Sequence, residues 1–288
     1  MSPPAHFDVA ADRETARLLV EEEAELDFEG LLHLYYKLQP EPTDELHDAH
    51  LAHLAAEQDH AEAALDLLEE GRAFGPHDAV LEVGCGMGQY LATAAERVEI
   101  AVGVDLSLPL LVLARKRLAG RGRVVAAEAE RLPFPGGAFA AVIAADVIEH
   151  LADQRQSLAE MGRVLRPGAA LFLSTPNRFS LTPEPHVGLW GVGFLPRPWA
   201  NRYVHRRRGV LYNDVRLLTS WALRDELRQA FPGPARLLLP ALSARQLEQF
   251  PPLKRRLARA YLALREVPVA RIFFYVFGPF FHAVAVKR

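Results

Sequence analysis

Cysteine is almost absent. A single one, Cys85, in a chain of 288 residues leaves no internal disulfide framework, and a reducing, cytoplasmic compartment is the expectation. Its place among glycines marks it as a small filler rather than a nucleophile. The start, MSPPAHFDVAADRE, lacks the basic and apolar regions of a secretion signal, so none is expected. No unbroken apolar span suits a membrane helix: the most apolar stretch, 267–286, is interrupted by Pro268, Arg271, Gly278, Pro279 and His282. Nor is there a strong net charge, which stands at −3. That value hides an asymmetry, because residues 1–75 carry 19 acids against 4 bases and residues 201–288 carry 17 bases against 5 acids. Two readings follow: an acidic helical cap packs near the basic C-terminal part, or the basic part meets an anionic lipid or substrate. The bases are spread over helical patterns without an RNA- or DNA-binding signature, so no nucleic-acid partner is expected.

What is abundant is apolar residues, half of the chain, enough for a substantial core in one large domain or two modest ones. The organising stretch is 80–90, VLEVGCGMGQY. Val80, Leu81 and Val83 fit a strand buried on both faces, and Ala92 and Ala95 fit a helix packed back onto it. Between them Gly84, Gly86 and Gly88 leave a turn whose backbone a ligand can approach, beneath the positive end of the helix. The dinucleotide fingerprint needs a third glycine where this chain has Gln89, which weakens that reading. A glycine loop without a ligand is the bland alternative. Glu82 followed by G-x-G-x-G resembles motif I of the class I S-adenosylmethionine-dependent methyltransferases, whose cationic, phosphate-free cofactor needs an acid and an open backbone. On that resemblance Glu82, Gly84, Cys85, Gly86 and Gly88 hold S-adenosyl-L-methionine.

A second buried run, 99–107, ends in Asp105, seventeen residues beyond Gly88. An acid there accepts both ribose hydroxyls, with Leu106 beside it, or else Asp105 or Ser107 caps the helix over 108–118. After a third strand over 123–127, EAERLPFP is similar to a segment of the ubiquinone- and menaquinone-biosynthesis methyltransferases, and this similarity implies that Glu128 and Ala129 meet the adenine. The fourth strand, 139–146, runs into DVIEHL. Asp146 is placed with the cofactor residues, and Glu149 and His150 stand at the strand's carboxyl end, where open α/β sheets bind ligands. His150 is the candidate base. In the ubiquinone O-methyltransferase branch the corresponding arrangement is associated with a divalent metal, so Asp146, Glu149 and His150 are an alternative metal set; ordering of the turn is the structural alternative. The resemblance covers about residues 78–176.

The expected fold is α/β: a doubly wound, seven-stranded, mostly parallel sheet of the Rossmann-like kind that the resemblance implies. Residues 1–75 form an N-terminal helical extension with helices over 11–25, 28–38 and 44–71. The methyltransferase domain occupies 76–288. A helix capped by Asp153 and a Pro-Gly turn precede the fifth strand. Residues 176–215 read as an irregular lid insertion offering His186, Trp190, Phe194, Trp199 and Tyr203 to a substrate. A helix over 215–230, a sixth strand over 235–239, and a C-terminal helix and final strand in 241–288 complete the chain. In the third helix His47, His50, His53, Glu57 and His60 recur at helical steps, as a metal face or simply a polar one. Leu253, Leu257, Tyr261 and Leu264 make an apolar stripe beside Lys254, Arg255, Arg256 and Arg259, which suits peripheral membrane contact. The expected activity is methyl transfer to a small or lipid-like acceptor. A nucleotide-dependent oxidoreductase and a non-catalytic S-adenosylmethionine-binding partner protein are the alternatives.

Overall fold

The computed structural model describes residues 8–38, 44–71 and 73–288. Seven strands form one sheet in the order β3-β2-β1-β4-β5-β7-β6: β1 Ala79–Val83, β2 Ile100–Asp105, β3 Arg123–Ala126, β4 Phe139–Ala145, β5 Leu165–Pro176, β6 Ala235–Leu238 and β7 Phe280–Val286. The first five run parallel, and β7 lies antiparallel between β5 and β6. The order reverses between β1 and β4, which opens a crevice at their carboxyl ends.

Alternation along the central strands builds both faces. Leu81, Val83, Val142, Leu171 and Leu173 point to one side, against Leu158 and Met161 of α6 Gln154–Val164 and Leu223 and Leu227 of α8 Ser220–Ala230. Val80, Ala141, Ile143 and Phe172 point to the other, against Ala61, Leu65 and Leu68 of α3 Asp44–Glu70 and Leu91 of α4 Gln89–Ala94. Each such fully buried large side chain contributes about 1.5–3 kcal/mol. The C-terminal half of α3 is thus a layer of the core. The helices α1 Val9–Glu22 and α2 Phe28–Leu38 pack on α5 Leu108–Leu118, where Leu19 and Leu31 cover Met87 of the glycine loop together with Val112 and Leu113.

Several expectations need correction. The helix expected from 215 begins at Ser220, because Arg216 and Leu218 remain extended: Arg216 N–H donates to Glu149 O at 2.7 Å and Leu218 O accepts from Arg178 N–H at 2.9 Å. Thr219 then caps α8 by accepting from Ala222 N–H. Asp153 does cap α6, and the Pro167-Gly168 turn falls inside β5 rather than before it, with Gly168 at φ +80° and the register to β4 passing from Leu165 to Ala170. In α4 Ala92 and Ala95 pack half-buried against this face as expected, and Tyr90, Leu91, Thr93 and Ala94 are buried more deeply. The 176–215 insertion is not irregular throughout. It carries α7 Arg197–Arg208 and its own small core of Val187, Leu189, Val192, Ala200, Val204 and Tyr212. The C-terminal part has three helices where one was expected: α9 Ala244–Gln249, α10 Pro252–Leu264 and α11 Pro268–Phe277. Acids of the N-terminal helices pair with the middle of the chain, Glu23 with Arg115, and Asp66 and Glu69 with Arg97, and α3 also meets the C-terminal part, where Asp59 accepts from Ser243 Oγ at 3.4 Å. Of the histidine face on α3, the side chains of His47, His50 and His53 lie outside the described residues, and Glu57 and His60 are half-buried.

Candidate functional site

The glycine loop leaves β1 and enters α4 with Gly84 at φ +71°, Gly86 at +48° and Gly88 at +76°. Gly84 N–H and Cys85 N–H both donate to Val104 O, at 2.8 and 2.9 Å, which fastens the loop to β2. A Cβ on Gly84 would stand 2.3 Å from Val147 Cγ2, whereas one on Gly86 would meet nothing within 4 Å. The loop is therefore closed at Gly84 and open at Gly86, the shape of a cradle. Cys85 is buried against Gly103, and burial raises its thiol well above the ordinary range, so it is an inert filler.

Acids of two kinds flank the loop. Glu82 is buried, and its Oε2 is an acceptor without a partner; desolvation raises this carboxyl well above its usual range. A cationic or hydrogen-bond-donating group fits such an orphan, and the donor set therefore fits S-adenosylmethionine, which carries both. Asp105, half-buried at the end of β2, accepts from Gly86 N–H and Ser107 N–H, each at 2.9 Å. One lone pair per oxygen is left for ribose hydroxyls, held in a fixed orientation. Burial raises the Asp105 carboxyl, opposed by those backbone donors. Ser107 precedes α5 without a capping bond of its own. Asp12 from α1 does that work, accepting from Leu108 N–H and Ser107 Oγ, both at 3.0 Å. Leu106 is half-buried in this turn, Glu128 is half-buried after β3, and Ala129 beside it is buried.

A second cluster sits at the carboxyl end of β4. Asp146 adopts φ +50° and accepts from Ser174 Oγ at 2.9 Å, which keeps it out of the group around Glu149. Glu149 is fully buried; Oε2 accepts from Thr175 Oγ1 at 2.9 Å and Oε1 has no hydrogen-bond partner. The insertion delivers His186, whose Nε2 lies 3.0 Å from His150 Nε2 and 3.8 Å from Glu149 Oε1, while its Nδ1 is hydrogen-bonded to the buried carboxylate of Glu184. Burial pulls the His186 imidazole down, but Glu184 and then Glu149 outweigh it and its pKa is raised. Burial, joined by the charge of Asp146, pushes Glu149 up to about 8. Tyr212 is buried beside Glu184, and desolvation raises its phenol.

The Glu149 shift predicts a pH effect with a definite sign. In the unfolded chain the carboxyl ionises near 4.5, in the folded chain near 8, so between these values the native state holds the proton longer and stability falls as pH rises. The full loss is roughly 4 to 5 kcal/mol. Glu149→Gln should match wild type at pH 5 and unfold at higher urea at pH 8; equal midpoints at pH 8 contradict the assignment.

The remaining lid residues separate. Trp190 and Trp199 are 63% and 70% exposed, Phe194 stacks on Phe179 with ring centroids 5.3 Å apart, and Tyr203 packs on the insertion's own core. Of the five, His186 is the one brought to His150. Glu184 escaped the sequence reading although it lies two residues before His186, and Asp12 carried no signal, its partner being ninety-five residues away. Chemically the cluster can pass a proton between imidazoles or hold a divalent cation, since atoms of Glu149, His150 and His186 all lie within 4.8 Å of one another.

Residues 81–173 match a family model described as a methyltransferase domain. A demethylmenaquinone methyltransferase of Thermus thermophilus is 31% identical over 163 residues, 55% of this chain and 69% of that protein. One of Deinococcus radiodurans is 39% identical over 164 residues, 55% of this chain and 63% of that one. Among solved structures, geranyl diphosphate C-methyltransferase from Streptomyces coelicolor A3(2) superposes with a TM-score of 0.54 at 18% identity, covering 87% of this chain and 86% of that one.

Proposed function

The chain belongs to the class I S-adenosylmethionine-dependent methyltransferases of the ubiquinone- and menaquinone-biosynthesis type, and from that premise we propose that its acceptor is a lipid-like molecule bearing an acidic hydroxyl, methylated on oxygen. The observation that carries the acceptor chemistry is the line Glu184–His186–His150 beside the unpartnered Oε1 of Glu149. The named acceptors of relatives, a demethylmenaquinone and geranyl diphosphate, support the lipid-like character.

The cofactor supplies a methyl group made electrophilic by its sulfonium charge. Glu82, Asp105 and the open face at Gly86 would bind and orient it, and Glu128 and Ala129 would take the adenine edge. A neutral His186 with its proton on Nδ1, toward Glu184, presents a lone pair at Nε2, so His150 donates through its own Nε2 and carries its lone pair at Nδ1. His150 would hold the acceptor hydroxyl and take its proton at Nδ1, so that the oxygen can receive the methyl group that the cofactor would supply. The resulting imidazolium is stabilised by His186 and by the Glu184 carboxylate behind it. Residues 176–215 cover the acceptor and exclude water, with His186 as the point where the cover meets the sheet.

Trideuteromethyl-labelled cofactor incubated with the enzyme and a total lipid extract tests the acceptor class. Label should enter the organic phase in a single product; label confined to water-soluble products contradicts it. The spacing of Glu149, His150 and His186 favours a second reading, in which they hold a divalent cation that acidifies the hydroxyl, with Glu184 bracing the His186 ring. On that reading a chelator abolishes transfer and added magnesium or zinc restores it; transfer unaffected by chelation leaves the proton relay.

A further inference from the structure

We propose that α10 and α11 together form a face that docks on an anionic lipid bilayer, a proposal that rests on the lipid-like acceptor above. Seven of the eighteen exposed large hydrophobic side chains among the described residues fall between 253 and 273: Leu253, Leu257, Leu264, Val267, Val269, Ile272 and Phe273, with Leu253 71%, Val269 79% and Ile272 67% exposed. They are not scattered. On α10, Leu253, Leu257 and Leu264 share one stripe, while Ala258 is turned into the protein. On α11, Val269, Ile272 and Phe273 share another.

The inward faces are fixed, so the outward ones are not waiting to fold back. Tyr261 OH donates to Pro240 O at 2.7 Å, Tyr275 OH donates to Leu237 O at 2.8 Å, and Tyr261 and Phe274 meet edge-on with centroids 4.9 Å apart. No residue of α11 is buried, although most of its side chains are apolar.

Charge selects the occupant. The segment 251–273 holds six bases, Lys254, Arg255, Arg256, Arg259, Arg265 and Arg271, against one acid, Glu266. Arg255 and Arg265 turn inward to backbone carbonyls, Arg271 leans back onto Tyr275, and Lys254, Arg256 and Arg259 stay exposed on α10. A second copy laid face to face would set these cations against one another. An anionic headgroup layer meets them, and its acyl region takes the leucines and phenylalanine. The face also adjoins the acceptor end of the fold: Phe277 O accepts from Leu181 N–H, and Val276 O and Gly278 O accept from Asn177 Nδ2, which ties α11 to the start of the insertion. A lipid-like acceptor then reaches the site from the bilayer it is dissolved in.

Vesicle flotation without acceptor tests this independently of methyl transfer. The full chain is floated with vesicles of equal phosphatidylglycerol and phosphatidylcholine, and with phosphatidylcholine alone, in low and high salt. Partition should be at least about tenfold stronger on the anionic vesicles and fall as salt rises. Ile272→Asp with Phe273→Asp should lower it by at least about tenfold, with S-adenosylhomocysteine affinity by calorimetry unchanged. If that variant fails to bind cofactor, Leu253→Asp with Leu257→Asp on the other helix decides. Wild type that ignores anionic vesicles, or variants that partition as wild type does, overturn the proposal. So does a wild-type dimer that the substitutions convert to a monomer, since a second copy would then cover the face.

Discussion

Replacing His150 with alanine is expected to lower turnover by about 10²- to 10⁴-fold while leaving S-adenosylhomocysteine affinity unchanged. The sulfonium methyl needs no further activation, so the chain's leverage lies in the acceptor's proton, and His150 is the exposed member of the cluster that faces solvent from the carboxyl end of β4. Its partner His186 acts through it. His186→Gln and Glu184→Gln should therefore cost less, on the order of tenfold in kcat, because the tautomer and orientation of His150 are loosened rather than its nitrogen removed. The wild-type rate should rise with pH as the His186 imidazolium, held on above the ordinary histidine range by Glu184, gives up its proton. Only then does its Nε2 accept from His150. That rise should shift down in Glu184→Gln. Steady-state kinetics at saturating cofactor, beside calorimetry, separates the roles; an unchanged kcat in His150→Ala removes it as the base.

The second large effect distinguishes two glycines of one loop. Gly86→Asn should weaken S-adenosylhomocysteine binding at least about 100-fold and leave the fold nearly as stable, because asparagine tolerates a positive φ and the new Cβ meets only the open space of the cradle. Gly84→Ala should instead destabilise the whole protein, by about 2–4 kcal/mol, since alanine at φ +71° drives a methyl to 2.3 Å from Val147. A fall in Tm of roughly 5–10 °C corresponds to that loss. Thermal unfolding of both variants, with calorimetry on the folded one, reads the difference. Gly86→Asn binding as wild type does would place the cofactor elsewhere.

The sheet and the cofactor loop were legible because their signals are local. Val80, Leu81 and Val83 before three alternating glycines, the run ending in Asp105, and LPFP before a fourth apolar run each fix a strand and its exit within ten residues. The insertion was not legible in the same way. Its prolines and glycines obscure α7, whose buried positions Ala200 and Val204 matter only against Val187, Leu189 and Tyr212. Trp190 and Trp199, the conspicuous aromatics, proved to be surface groups, while the contact with the sheet's carboxyl end fell to His186, thirty-six residues from His150. A contact of that span is made by tertiary packing and leaves no periodicity behind. The same holds for Asp12 at the start of α5. Among the described residues no helix is long and apolar enough to cross a membrane, in keeping with the breakers read in 267–286.

We propose that this methyltransferase puts its methyl group on an oxygen whose proton His150 removes. The most direct measurement is the carbon-13 spectrum of the lipid-phase product formed from cofactor labelled at the methyl carbon. A methoxy carbon is expected, formed by wild type and nearly absent with His150→Ala. A labelled methyl bonded to carbon or nitrogen, formed equally well by the variant, would contradict it.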